Sequence, residues 1–108
     1  MQKLSETSVS GKGPVLVYPV AGSFTAKQAI GLKEEISRRI DAAIPKIVLD
    51  MTAVTETDIV GVNTLVQILL SVRRGGSDLE VRLIRDSPLD KILRLTKFHR
   101  HFNLVFPF

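Results

Sequence analysis

Ile47-Val48-Leu49-Asp50-Met51-Thr52-Ala53-Val54-Thr55-Glu56-Thr57-Asp58-Ile59-Val60-Gly61 is the stretch whose reading decides the fold. Ile47-Val48-Leu49, with Met51 close behind, is apolar without alternation. A strand reads this way when both of its faces are buried, as in the middle of a parallel sheet. Asp50 to Gly61 is polar and rich in hydroxyls, so the spacing predicts a loop at the carboxyl end of that strand. A helix is predicted over residues 59–73. Asp58 or Thr57 stands at its start, Arg73-Arg74 place positive charge on its carboxyl end, and Gly75-Gly76 stop it. A buried strand feeding a helix is the unit from which parallel sheets are built.

The chain on either side repeats that unit. Upstream, Ala29, Leu32, Ile36, Ile40 and Ala43 recur at three- and four-residue steps and predict a helix over residues 25–44. Thr25 or Ser23 is its expected cap and Pro45 its end. Before it, Val15-Leu16-Val17-Tyr18-Pro19-Val20 is a strand, with Pro19 marking an end or an edge. An earlier strand around Leu4–Val9 is expected to pair with it across Gly11-Lys12-Gly13. Downstream, Leu79-Glu80-Val81-Arg82-Leu83 alternates and predicts a half-exposed strand. Ser87-Pro88 start a third helix that turns Leu89, Ile92, Leu93 and Phe98 inward and a stripe of Lys91, Arg94 and Lys97 outward. Asn103-Leu104-Val105-Phe106 is a terminal strand. The expected architecture is α/β: one small domain over residues 1–108, with residues 1–13 as an N-terminal segment and 14–106 as the core. Its sheet is mixed but mostly parallel, with about three to four helices.

At 108 residues, with 44 % apolar and 24 % charged side chains, the chain suits one soluble domain. No apolar run approaches the ~20 residues of a membrane span. Nothing at the start reads as a signal peptide, which fits the cytosol. There is no cysteine, so disulfides, thiolate nucleophiles and Cys-ligated zinc are excluded. The net charge is +4 and is unevenly placed. Residues 1–72 hold seven basic and seven acidic side chains, whereas residues 73–108 hold eight and four. Such a patch reads most simply as a solvated face, and otherwise as one that attracts nucleic acid or an acidic partner. Stacking aromatics are few, with no Trp and only Tyr18 as tyrosine, so specific nucleic acid is not the expected partner.

No phosphate-binding glycine loop and no Gly-x-Ser-x-Gly elbow is present. His99 and His101 are the only histidines and lack an evident third ligand. Asp50 and Asp58 flank the central segment, but Asp58 is more simply a helix cap. The chain therefore reads as a non-enzymatic interaction module with no metal and no cofactor. Asn63, Thr64, Gln67 and Ser71 make a polar face on the second helix. Val60 projects at the head of that same face, which reads either as a shoulder residue touching the next loop or as a partner contact at an exposed helix start.

Together the strand Lys46–Met51, Asp58-Ile59-Val60-Gly61, the helix ending at Gly75-Gly76, the strand Leu79–Ile84, and Ser87-Pro88 with Leu95 and Phe98 resemble the STAS domain. That is the fold of bacterial anti-sigma-factor antagonists. The resemblance spans about residues 14–106. In that family the segment reads Asp-Ser-Ser-Gly or Asp-Ser-x-Gly, and a kinase that is itself the anti-sigma factor phosphorylates one serine. Asp58 and Gly61 match this pattern. Val60 occupies the position of the phosphorylated serine, and Ile59 the other frequent hydroxyl position. The family's Gly-Glu-Leu-Asp before the first helix corresponds here to Gly22-Ser23-Phe24-Thr25. The resemblance thus implies a regulator of transcription that binds an anti-sigma factor or kinase-like protein by partner switching. Its partner face comprises Thr55, Thr57, Asp58, Ile59, Val60, Gly61, Asn63, Thr64 and Gln67, with Gly22, Ser23 and Thr25 alongside. A scaffold or adaptor role in another bacterial signalling or lipid-related assembly is the alternative. The family often adds a C-terminal helix, so Phe102, Phe106 and Phe108 are expected near a surface open to self-association or to a missing segment.

Overall fold

In the computed structural model, residues 6–10, 13–40 and 44–107 are described, with side chains from residue 14 onward. The elements run β1 (Glu6–Ser10), β2 (Gly13–Phe24), α1 (Ala26–Arg39), β3 (Lys46–Thr57), α2 (Ile59–Arg74), β4 (Asp78–Arg82), α3 (Pro88–Leu95), a 3-10 turn (Phe98–His101) and β5 (Asn103–Val105). The strands lie in the order β1-β2-β3-β4-β5. β1 pairs antiparallel with β2, and every other pairing is parallel. This is the mixed, mostly parallel sheet expected from the alternation of strands and helices.

Because each crossover steps to the next strand in the same direction, right-handed connections put all three helices on one face. The core agrees. Leu16, Tyr18 and Val20 of β2, Ile47, Leu49 and Met51 of β3, and Leu79 and Val81 of β4, followed by Leu83, belong to one cluster. That cluster also holds Ala29, Leu32 and Ile36 of α1, Val62, Leu65, Ile68, Leu69 and Val72 of α2, and Leu89 and Leu93 of α3. Ile92 and Phe98 are half-buried against it.

Several expectations are corrected. α1 ends at Arg39, because Ile40 turns to an extended conformation (φ −67°, ψ 123°); Ala43 lies outside the described residues. Neither expected cap side chain acts as one: Thr25 is the N-cap residue, but its hydroxyl donates to Gln28 Oε1 at 2.8 Å. The segment after Asp50 is not a loop. Residues 51–57 continue β3 and pair with β2 as far as Phe24↔Thr57, beyond the end of β4's pairing at Asp50↔Arg82. β2 likewise runs through Pro19, where its register shifts between Pro19 and Ala21, a bulge that accommodates the missing donor. Lys97 is not on α3 but follows it in a left-handed conformation (φ 62°).

β4 is also not half-exposed. Glu80 points to the helix-free face, yet its side chain is only 8 % exposed. Lys46 on β3 reaches it at 2.6 Å and Arg82 on β4 at 2.8 Å, each using a different carboxylate oxygen. The alternation was correct, but the outward residue is covered by its neighbours' long side chains. Burial raises the Glu80 pKa, but the hydrogen bonds and charges of Lys46 and Arg82 outweigh it and hold the carboxyl below its ordinary value.

The first turn of α2 is seated on the end of β2. Asp58 Oδ1 accepts from Gly61 N at 2.8 Å, and Thr57 Oγ1 donates to the Phe24 carbonyl at 2.7 Å. A Cβ on Gly61 would overlap that same Phe24 oxygen and meet Thr57 Oγ1 at 2.9 Å. Glycine stands at this position because the helix backbone touches the strand end.

Two stability outcomes are expected. Glu80→Gln lowers stability at neutral pH by about 1–2 kcal/mol, the scale of charge-assisted hydrogen bonds to half-exposed cations. A lowered folded pKa makes that contribution present above the ordinary value of 4.5 and lost as pH falls through the folded value. Denaturant melts of both proteins therefore converge in acid, and a difference independent of pH would contradict the ion pair. Gly61→Ala costs about 2–4 kcal/mol by overpacking against backbone, and a melting temperature equal to wild type would show that the contact is slack.

Candidate functional site

The residues singled out from the sequence meet where β2 and β3 end and α2 begins. Asp58 is the N-cap of α2, in extended conformation, with its carboxylate on Gly61 N. This cap leaves Ile59 and Val60, in the helix's first turn, on the surface at 50 % and 46 % exposure. No hydroxyl lies among Asp58-Ile59-Val60-Gly61. The surface at the head of α2 is therefore a pair of branched apolar side chains beside a carboxylate already engaged by backbone.

The hydroxyls around it are not equivalent. Thr57 is half-buried and committed to the Phe24 carbonyl. Ser23 donates to Glu56 Oε1 across the β2–β3 pair, in register. Thr55 is exposed on β3. Gly22, with φ +74°, supplies a backbone conformation that L side chains rarely adopt. It lies next to the register shift between Gly22 and Ser23. The β2 end bends there, just before Phe24 plants its fully buried ring in the core.

Along α2, Asn63 and Gln67 are exposed, but Thr64 is not part of their face. It is 6 % exposed and its hydroxyl donates back to the Val60 carbonyl at 2.9 Å. Helical spacing placed Thr64 one step from Asn63, and threonine's ability to satisfy its own hydroxyl within the helix let it turn inward. Ser71 is half-buried.

The sequence reading missed the contribution of α1. Lys33 Nζ donates to Gln67 Oε1 at 2.8 Å, which fixes the register of the two helices. Both connect parallel strands, so they run in the same direction. Ile30, 51 % exposed, sits about one turn before Lys33, as Asn63 sits one turn before Gln67. Ile30 thus stands on α1 at about the level of Asn63, roughly one turn beyond Val60. The signal was available: Ile30 is an isoleucine that lies off the Ala29/Leu32/Ile36 stripe.

Among the described residues, no group of three or more His, Cys, Asp or Glu is placed to hold a metal ion. No helix among them is long and apolar enough to cross a membrane. What the arrangement offers is a contact surface, apolar at its centre, framed by Asn63, Gln67, Lys33 and the Ser23–Glu56 pair.

Comparison with known structures finds the same architecture. The anti-sigma factor antagonist SpoIIAA in its unphosphorylated form superposes with a TM-score of 0.69 at 14 % identity, over 100 % of this chain and 90 % of that one. The phosphorylated form of SpoIIAA, a Bacillus cell fate determinant, gives 0.68 at 13 % identity, over 99 % and 93 %. A Thermotoga maritima protein assigned as a candidate anti-sigma factor antagonist gives 0.72 at 17 % identity, over 92 % and 83 %. At these identities the likeness concerns the fold. The sequence profile of the STAS domain matches residues 6–107, nearly the whole chain, and the chain belongs to the STAS domain family.

Proposed function

We propose that the chain is a regulatory protein-interaction module that docks a partner through the head of α2, and that it does so without a phosphorylation switch at Val60. The observation that carries this reading is the pair Ile59 and Val60, half-exposed on a helix start whose backbone is already capped by Asp58. Isolated exposed apolar side chains are ordinary, but two in succession at a helix start form a surface that gains by being covered. Nothing in this segment is a nucleophile or an acid–base pair. The reading is therefore of binding rather than catalysis, at a site needing no cofactor.

The partner that fits the family resemblance is an anti-sigma factor or related kinase-like protein, which would place the chain in partner switching and transcription control. In the antagonist pattern the residue at Val60 is a serine whose phosphate, roughly −2 in charge, alters docking. Valine lacks the oxygen, and of the neighbouring hydroxyls Thr55 is exposed on β3, before the helix start, while two others are already engaged. Thr57 is spent on the Phe24 carbonyl and Ser23 on Glu56. That same lack of a switch supports the second reading, a scaffold or adaptor whose STAS surface stays engaged in another bacterial signalling assembly. Capture of the bound protein from native extract separates the two, since each names a different class of partner.

Replacing Val60 by Asp weakens partner binding by about tenfold or more while the fold holds. A carboxylate near a helix N-terminus is favourable by about 0.3–1 kcal/mol, whereas an apolar interface must desolvate it. Melting temperature and affinity measured on one preparation check this, and equal affinity for both proteins would remove Val60 from the interface. Incubation with an anti-sigma kinase and ATP, followed by intact-mass and fragment analysis, is expected to leave residues 55–61 unmodified. A phosphate mapped to Thr55 or Thr57 would restore a switch at a shifted position and overturn the constitutive reading.

A further inference from the structure

All three helices end at the same pole of the molecule, and each ends in cations. α1 finishes with Arg38-Arg39 and α2 with Arg73-Arg74. α3 is followed by exposed Lys97 and then by exposed Arg100 in the 3-10 turn. Arg73 Nη2 donates to the His101 carbonyl at 3.0 Å, joining the last turn of α2 to the 3-10 turn. Arg38, Arg39, Arg73, Arg74, Lys97 and Arg100 are all exposed, and none is in an ion pair among the described residues. Among the described residues, the carboxylates nearby are Asp78, exposed at the start of β4, and Glu34 and Glu35, about one turn back along α1; Asp41, two residues after Arg39 in the sequence, lies outside the described residues. From residue 91 to the end of the sequence there is no acidic side chain.

The second observation is Leu95, the last residue of α3 and 84 % exposed, the most exposed of the large apolar side chains among the described residues. Lys91 lies one turn before it and Lys97 two residues after it. Burial of α3 explains Leu89 and Leu93, which face the core, but not Leu95. Arg74 is fourteen residues beyond Val60 on α2, so this pole stands about 21 Å from Val60 along the helix. A ligand here does not compete with a partner at the head of α2.

We infer that this pole docks onto an anionic lipid bilayer surface. The cations span the ends of three adjacent helices, which presents them to an extended plane rather than to a pocket. Basic side chains around a protruding leucine are the composition of an interfacial membrane contact, in which the cations meet acidic headgroups and the apolar side chain enters the acyl boundary. Duplex nucleic acid would use the cations but has no use for Leu95. The chain lies on the surface and tethers there whatever the opposite pole binds.

The test is sedimentation of the full chain with extruded vesicles. One set is pure phosphatidylcholine and the other carries about one third phosphatidylglycerol. Binding is expected to the anionic set alone and is lost in about 0.5 M salt. The variant Arg38→Gln/Arg74→Gln/Lys97→Gln/Arg100→Gln binds those vesicles at least about thirtyfold more weakly. Leu95→Gln binds them about threefold to tenfold more weakly with its salt dependence intact. Arg73 is left alone because it holds the 3-10 turn, and circular dichroism melts confirm that each variant is folded. Val60→Asp retains full vesicle binding, which separates this surface from the partner site. Failure to bind anionic vesicles, equal binding to both sets, or an unchanged Leu95→Gln overturns the proposal. Duplex DNA or poly-glutamate bound more tightly than the vesicles would also overturn it and assign the pole to nucleic acid or to an acidic protein.

Discussion

The carbonyl oxygen of Phe24 holds the candidate site together. It lies at the last residue of β2, accepts the Thr57 hydroxyl, and is the atom against which Gly61 is packed. One backbone oxygen therefore joins the end of β2, the end of β3 and the first turn of α2. A buried carbonyl needs a donor. Thr57 supplies it, and the bond draws the β3 end against β2 so closely that only glycine fits on the helix side. Asp58 then caps from its fixed place on the chain. Ile59 and Val60 have nowhere to go but outward, because Gly61 and Val62 are the residues turned inward. The exposure of the two apolar side chains is a consequence of that packing, not an accident of the surface.

This explains why the first turn of α2 suits recognition. Its backbone is over-determined by a cap, a strand-end contact and the Thr64 back-bond to the Val60 carbonyl. Side chains projecting from such a backbone lose little further freedom on binding, which leaves more of the contact energy as affinity. The Lys33–Gln67 bridge holds α1 alongside in fixed register. On the proposed reading, a partner would meet this surface without rearrangement of its backbone.

How far the sequence told this in advance depended on which signal was local. The caps at Asp58 and Ser87 were legible because they follow from side-chain chemistry three residues deep: Gly61 N and Asp90 N are bonded as the spacing implied. The order of strands and helices was legible because apolar periodicity alternates cleanly. What failed was non-local. Thr52, Thr55 and Thr57 read as loop by composition, yet pairing with β2 made residues 51–57 a strand. Glu80 read as solvent-facing, yet Lys46 from the neighbouring strand buried it. Asp90 was passed over as a charged helix residue. It is fully buried, accepting from Asp86 N at 2.8 Å and from Arg94 Nε at 3.0 Å, and it organises the β4–α3 turn. In each case the deciding partner was on another element or on the preceding turn, where periodicity carries no information.

The one-sided helix layer has a consequence for how charge is arranged. Parallel helices that all run against the strands place their N-termini at one pole and their C-termini at the other. The macrodipole favours acids near the first and bases near the last. Glu56 and Asp58 lie at the first pole and the Arg38-Arg39, Arg73-Arg74 and Arg100 groups at the last. Each such placement is favourable for its own helix, so the uneven +4 of the sequence follows in part from helix stability alone. Dipole compensation does not account for a leucine at 84 % exposure among those cations, and at that exposure it adds little to the core. The charges by themselves are explained by the fold; the leucine among them is what gives the proposed bilayer contact an apolar anchor.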